Sequence, residues 1–180
     1  MERSGVINIY KEAGYTSHDV VAKLRGILKQ KKIGHTGTLD PQAQGVLPVC
    51  LGKGTKLCDL LADHDKEYEA VLRLGITTDT QDMEGNVLQE SSVQVSEEEV
   101  RTCILSFQGE QMQVPPMYSA LKVNGKKLYE LAREGKVVER KARPVTFHKI
   151  EVLWMELPKV KIRVQCSKGT YIRTLCNDIG

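Results

Sequence analysis

No long apolar run occurs in the chain. Its amino terminus, "MERSGVINIYKEAG", is broken by charge and glycine, and reads as neither a signal peptide nor a membrane anchor. The five cysteines (Cys50, Cys58, Cys103, Cys166, Cys176) are odd in number and widely spaced, with no C-x-x-C. That pattern excludes a disulfide framework and reads as reduced core thiols in a cytoplasmic protein. The four histidines (His18, His35, His64, His148) make no H-x-x-x-H pair, so no metal site is expected. The acidic stretch "TTDTQDMEGN" is not a calcium loop, because Met83 interrupts the alternating oxygen ligands and the distal Glu is missing. There is no internal repeat and no low-complexity segment.

What is present fits one domain, with room for an appendage: 180 residues, 41% hydrophobic and 27% charged, enough to bury a core. The formal net charge of +3 is a mild excess that many enzymes share, so the placement of charge carries more information than its sum.

Residues 5–10 read as a short β-branched strand. "TSHDVVAKLRGILKQKK" reads as a helix, with Thr16 as cap and Asp19 three residues on, and with Val20, Val21, Leu24, Ile27 and Leu28 on one stripe. Its far end carries Arg25, Lys29, Lys31 and Lys32. Two readings of these stand: a solvated face suited to the helix dipole, or contacts to phosphate. "VLPVCLGKGTKLCDLLADHD" predicts a buried strand, a turn and a short helix. "KEYEAVLRLG" predicts a half-buried strand with Tyr68, Ala70, Leu72 and Leu74 on one face. "SEEEVRTCILSF" predicts a helix capped by Ser96 and Glu99, with Val100, Ile104 and Leu105 inward.

Asn124-Gly125 marks a tight hairpin, because both central residues must take positive φ, and the short helix that follows is closed by Gly135. Around them lies the densest basic region, with Lys122, Lys126, Lys127, Arg133, Lys136, Arg140, Lys141 and Arg143 interleaved with Tyr118 and Tyr129. A solvated surface is one reading. A nucleic-acid surface is the favoured one, since bases stack on aromatics while cations hold phosphates. "VTFHKIEVLW" and "KVKIRVQCSKG" predict two further strands, the second with Val160, Ile162, Val164 and Cys166 facing one way. "GTYIRTLCNDIG" then has helical spacing at Ile172, Leu175 and Ile179.

One acid stands apart. In "GHTGTLDPQAQGVLP", Asp40 is held between Leu39 and Pro41 in a frame of glycine and proline. It is open to three readings, one of them that it caps whatever follows. An Asp before Pro starts turns by accepting backbone N–H bonds. A nucleophilic carboxylate needs a rigid frame and a cation that keeps it ionised. A hydrolase with paired carboxylates would need a second acid in a comparable setting. Asp63, Asp65, Glu67 and Glu69 lie instead in a plain charged segment.

"GHTGTLDPQAQGVLPVCLGKGTKL" closely resembles the signature of TruB-type pseudouridine synthases, in which G-H-T-G-T-L-D-P-x-A-x-G-V-L surrounds the catalytic aspartate. Four other segments resemble family motifs in the family's order: "GVINIYKEAGYTSHDVV", "KEYEAVLRLGITTDTQDMEG", "QVPPMYSALKVNGKKLYELAREG" and "CSKGTYIRTLCNDIG". The resemblance spans nearly all of the chain. It departs at Lys11-Glu12, where the family usually has Lys-Pro, so one rigid turn residue is absent. Family members also continue past the position matching Gly180, commonly into a PUA-type domain, so residues 1–180 are expected to be a catalytic domain incomplete at its carboxyl end.

The resemblance implies an α+β fold, a mixed, mostly antiparallel sheet flanked by helices, with a basic hairpin-helix insertion at 116–143. It implies isomerisation of uridine to pseudouridine in tRNA, at uridine 55 of the T-loop, with Asp40 as nucleophile and no cofactor. Arg173 would pair with Asp40, Tyr68 would stack on the uracil, Tyr171 would line the pocket, and His35 would fill the gap left by the flipped base. The T-arm would be gripped by the insertion, through Lys122, Lys126, Lys127, Arg133 and Arg143, and met by Lys31 and Lys32. The protein would act as a monomer, with no membrane and no obligatory protein partner. A guide-RNA-dependent relative of the dyskerin type and a non-catalytic tRNA-binding or tRNA-folding protein are the alternatives.

Overall fold

The computed structural model describes residues 2–180, which divide between His64 and Asp65 into two compact units. Each is described by itself.

In the first unit, strand β1 (Gly5–Lys11) leads to helix α1 (Ser17–Leu28). Strands β2 (Ile33–His35) and β3 (Gly45–Leu51) follow, then a 3₁₀ turn and the short helix α2 (Cys58–Ala62). The sheet order is β1-β3-β2, antiparallel throughout. Helix α1 starts where the sequence places it. The Thr16 side chain accepts from the Asp19 N–H at 3.0 Å, and the Thr16 N–H donates to Asp19 Oδ2 at 2.9 Å. Asp thus closes a capping box that usually takes Glu or Gln. Val20, Val21, Ile33, Leu47, Val49 and Leu51 form the core, with Leu24 and Leu28 packed on it.

Two expectations shift here. Ile27 is 65% exposed, because the buried stripe runs through Val20, Val21, Leu24 and Leu28 and leaves it at the edge. The helix also stops at Leu28, where Lys29 turns into the left-handed region at φ 51°. Lys31 and Lys32 therefore lie in the turn after the helix, not on its last turn.

The second unit holds the four-stranded antiparallel sheet β4-β11-β10-β7, formed by Lys66–Arg73, Lys159–Cys166, Arg143–Glu156 and Gly109–Gln113. Between β4 and β7 come the hairpin β5 (Ile76–Thr78) and β6 (Val87–Glu90) and helix α3 (Glu97–Ser106). Between β7 and β10 lie the two-residue strands β8 (Lys122–Val123) and β9 (Lys126–Lys127) and helix α4 (Leu128–Arg133). Helix α5 (Ile172–Ile179) follows the sheet.

Strict alternation on β11 puts Val160, Ile162, Val164 and Cys166 wholly in the core. Burying each of the valines and the isoleucine contributes about 1.5–3 kcal/mol. Leu105 is 44% exposed, a residue too far round α3 from Ile104 to reach the core. Asn124 at φ 51° and Gly125 at φ 81° make the tight turn their dipeptide predicts.

Every strand pair described is antiparallel, in accord with the α+β reading. No described helix is long and apolar enough to cross a membrane. All five cysteines are free. Burial, with Cys58 beside it, pushes the Cys50 thiol up to about 11, and burial pushes Cys176 up to about 12. Neither is a thiolate at neutral pH.

Candidate active site

Asp40 lies in the loop between β2 and β3, and both flanking residues are tied down. On one side, the Leu39 N–H donates to Ser17 Oγ at 3.0 Å, at the buried first residue of α1. On the other, the Pro41 carbonyl accepts from the Gly14 N–H at 3.0 Å and from Lys11 Nζ at 3.0 Å. Lys11 has no exposed surface and also donates to the carbonyls of Tyr15 (2.6 Å) and Glu12 (3.1 Å). Burial pulls its ammonium below the ordinary lysine range, and the Asp40 carboxylate pushes it partly back. Asp40 does start a turn, its carbonyl accepting from the Ala43 N–H at 3.0 Å.

His35 sits at the end of β2 opposite Val49. Its Nδ1 is 2.7 Å from the Gly37 carbonyl, which can only accept, so Nδ1 carries the proton and Nε2 is left for another partner. A pocket of about 520 Å³ opens in this unit, lined by His18, Arg25, Lys31, Lys32, His35 and Cys58 among others.

Tyr68, Tyr171 and Arg173 belong to the second unit. Tyr68 is half-buried on β4, opposite Val164. Tyr171 caps α5, and its backbone is held at both ends by the buried Gln113 side chain. The Tyr171 N–H donates to Gln113 Oε1 at 2.9 Å, and Gln113 Nε2 donates to the Tyr171 carbonyl at 3.1 Å. Two residues on, the Arg173 guanidinium draws three segments together. Nη1 is 3.3 Å from Asp82 Oδ2 and donates to the Thr80 carbonyl at 3.4 Å, while Nη2 donates to the Tyr118 carbonyl at 2.7 Å.

The loop around Asp82 folds tightly enough for this because Gly85 has no side chain; a Cβ there would run into Thr80 and Asp79. Gln81, left-handed at φ 63°, accepts from the buried Thr174 hydroxyl at 2.7 Å. The acidic stretch 77–86 is thus the seat of an arginine.

In the insertion, Lys122, Lys126, Arg133 and Arg143 are exposed, and Lys127 is half-exposed. Lys127 and Arg133 both stand over the Tyr129 ring, 5.3 Å from its centre. Arg143 opens β10 opposite Gln113, at the root of the insertion. Three residues here were assigned no role from the sequence: Lys11, Asp82 and Gln113. The signal for Asp82 was five short polar residues gathered before a glycine; nothing local marked the other two. A further pocket of about 590 Å³, lined by Arg73, Gly75, Ser91 and Pro158 among others, holds none of the predicted residues.

A family model described as TruB family pseudouridylate synthase (N terminal domain) matches residues 25–172. The chain belongs to this family. It is 60% identical over 177 residues to tRNA pseudouridine synthase B of Clostridium novyi (strain NT), covering 98% of this chain and 61% of that protein. It is 63% identical over 185 residues to the protein of the same name from Lachnoclostridium phytofermentans, covering 98% and 60%. The chain therefore spans about three-fifths of the length of these TruB relatives. Among solved structures it resembles a chain of a Cbf5-Nop10-Gar1 complex, with a TM-score of 0.75, 37% identity, and coverage of 98% of this chain and 43% of that one.

Proposed function

We propose that the protein isomerises uridine to pseudouridine in tRNA, at uridine 55 of the T-loop, and that Asp40 is the nucleophile. One observation carries the reading: within a family whose members make pseudouridine, this chain keeps a single carboxylate in a loop pinned on both sides. The N1–C1′ bond breaks, the uracil turns, C5 joins C1′, and C5 gives up its proton while N1 takes one up. Atoms and electrons balance without an oxidant or a cofactor. Tyr68 and Tyr171 hold the base, and Arg173 is the guanidinium counter-charge. His35 takes the vacated place in the stack, which offsets part of the few kcal/mol that extrusion costs. The insertion at 116–143 grips the T-arm by shape and phosphate, because A-form major grooves cannot be read by side chains. The chain works as a monomer in the cytoplasm.

The test is incubation with unmodified tRNA transcript, without guide RNA or metal, followed by carbodiimide primer extension. One modified position is expected, lost in Asp40→Asn while RNA binding persists. A guide-dependent enzyme is the second reading, motivated by the Cbf5 resemblance. The higher identity to the two tRNA pseudouridine synthases favours the first. Product formed only after a guide is added would reverse that order. Binding without product at any position would mark a tRNA-binding protein.

A further inference from the structure

Helix α5 begins without the usual cap. Its N-cap residue, Tyr171, makes no side-chain hydrogen bond to the first turn. A first turn without a cap leaves N–H groups unsatisfied and frays. Yet this turn carries Arg173 as its second residue, and then Thr174, which is buried. What steadies it comes from 58 residues away. Gln113, only 4% exposed, brackets the Tyr171 main chain. The Tyr171 N–H donates to Oε1 at 2.9 Å, and Nε2 donates to the Tyr171 carbonyl at 3.1 Å. That carbonyl also accepts from the Leu175 N–H at 3.1 Å, the bond that opens the helix. The side-chain amide thus stands in for a neighbouring strand, which would exchange the same two bonds. It holds Tyr171 extended, at φ −105° and ψ 108°, at the point where the helix must begin.

Gln113 is itself fixed. It ends β7 and is paired with Arg143 of β10 on the four-stranded sheet. Turning its amide would break both bonds at once and orphan buried polar groups. A second tie leaves α5 in another direction, from Arg173 Nη2 to the Tyr118 carbonyl at 2.7 Å. Tyr118 lies inside the insertion, whose strands are two residues long, whereas Gln113 lies before it, on the sheet. The start of α5 therefore takes its main-chain position from the stiffer of the two supports. Side chains that act on a reacting centre keep their geometry only when a locked outer layer holds them.

We propose that Gln113 is a positioning residue for pseudouridine formation, setting the start of α5 so that the Tyr171 ring and the Arg173 guanidinium stand where the reaction uses them. It acts through the Tyr171 main chain and needs no contact with the base. The proposal rests on the function argued above and adds to it a residue outside the reacting groups.

The test separates rate from affinity. Single-turnover pseudouridine formation at saturating tRNA transcript, tRNA binding and Tm are measured for wild type, Gln113→Met, Gln113→Asn and Val160→Ala. Gln113→Met keeps the length of the side chain and loses both bonds. Its saturated rate is expected to fall about a hundredfold, as for reacting groups misplaced by about an ångström, with affinity within about twofold of wild type. Gln113→Asn keeps the amide and withdraws it by one carbon, so the same split is expected at about tenfold or more. Val160→Ala opens a cavity in the core of the same sheet and is the structural control: Tm falls while the saturated rate stays within about twofold. A saturated rate near wild type in both folded Gln113 variants overturns the proposal. So does an equal loss of rate in Val160→Ala at a matched loss of Tm. If Gln113→Met does not fold, Gln113→Asn is read alone; if neither folds, the residue serves the fold and the proposal fails. A wild type that binds tRNA without making product sinks the functional reading. A wild type that turns over no faster than its Gln113 variants sinks the positioning role alone.

Discussion

Residues 34–48 hang from side chains with no room to move, whereas residues 116–143 hang from a hairpin whose strands are two residues long. The first segment is fixed by Ser17 at Leu39 and by Lys11 and Gly14 at Pro41. The second has a core of only Met117, Leu128 and Leu131, with a few half-buried neighbours. Near its base, Arg140 Nη1 donates to the Pro115 carbonyl at 3.1 Å. A two-stranded hairpin is marginal in water, so the insertion lies at the low end of local stability. A reacting carboxylate must be in place before substrate arrives, because misplacement by an ångström costs rate. An element that closes on a large RNA gains by yielding and ordering on contact. The stiff loop suits chemistry, and the soft insertion suits grip.

The largest contrast is expected in turnover. Asp40→Asn lowers pseudouridine formation by about 10⁴-fold with RNA affinity kept. Lys122→Ala/Lys126→Ala/Lys127→Ala should do the reverse, raising KM and leaving the single-turnover rate at saturation near wild type. A triple variant that slows the saturated rate as much as Asp40→Asn would erase the distinction. Next in size is the fold itself. Lys11→Met takes a donor from three inward carbonyls, of which Pro41 keeps the Gly14 N–H, and should cost about 2–4 kcal/mol, read by urea unfolding. Lys127→Met, on the exposed hairpin, should stay within about 0.5 kcal/mol.

A smaller effect is expected at the hairpin tip. Gly125→Val forces a branched side chain to φ 81°, which should speed amide exchange within 118–133 and raise KM several-fold, with exchange in β10 and β11 unchanged. The smallest concerns acid. Hydrogen bonds from Thr16 hold the Asp19 carboxyl below its usual range, and those from Ser96 do the same for Glu99. A depressed folded value stabilises above the unfolded one and is lost as pH falls through it, so both caps fade below about pH 4. Asp19→Asn should flatten that acid limb slightly in the first unit and leave α3 untouched.

The features legible in the sequence were those encoded by neighbours. The alternation of Val160, Ile162, Val164 and Cys166, the cap at Ser96 and the turn at Asn124-Gly125 each need only a few adjacent residues. The glycine and proline frame around Asp40 was visible for the same reason, but not the ties to Ser17 and Lys11 that hold it. The residues that went unmarked act at a distance. Lys11 meets Pro41 across 30 residues, Gln113 meets Tyr171 across 58, and Asp82 meets Arg173 across 91. Before those segments are folded together, a buried lysine and a surface lysine are the same letter. Helix ends were read less well than helix bodies, as the stop at Leu28 shows, because a left-handed lysine has no local signature.

The hydrogen bonds of the Lys11 ammonium all go to peptide oxygens. Its clasp follows the course of the main chain and is blind to the side chains that hang from it. Glu12 and Tyr15 can thus be exchanged without loosening the bolt behind the carboxylate. Drift at those two positions is free in a way that drift at position 11 is not, and a collection of random variants retaining activity should be varied at 12 and 15 and nearly invariant at 11.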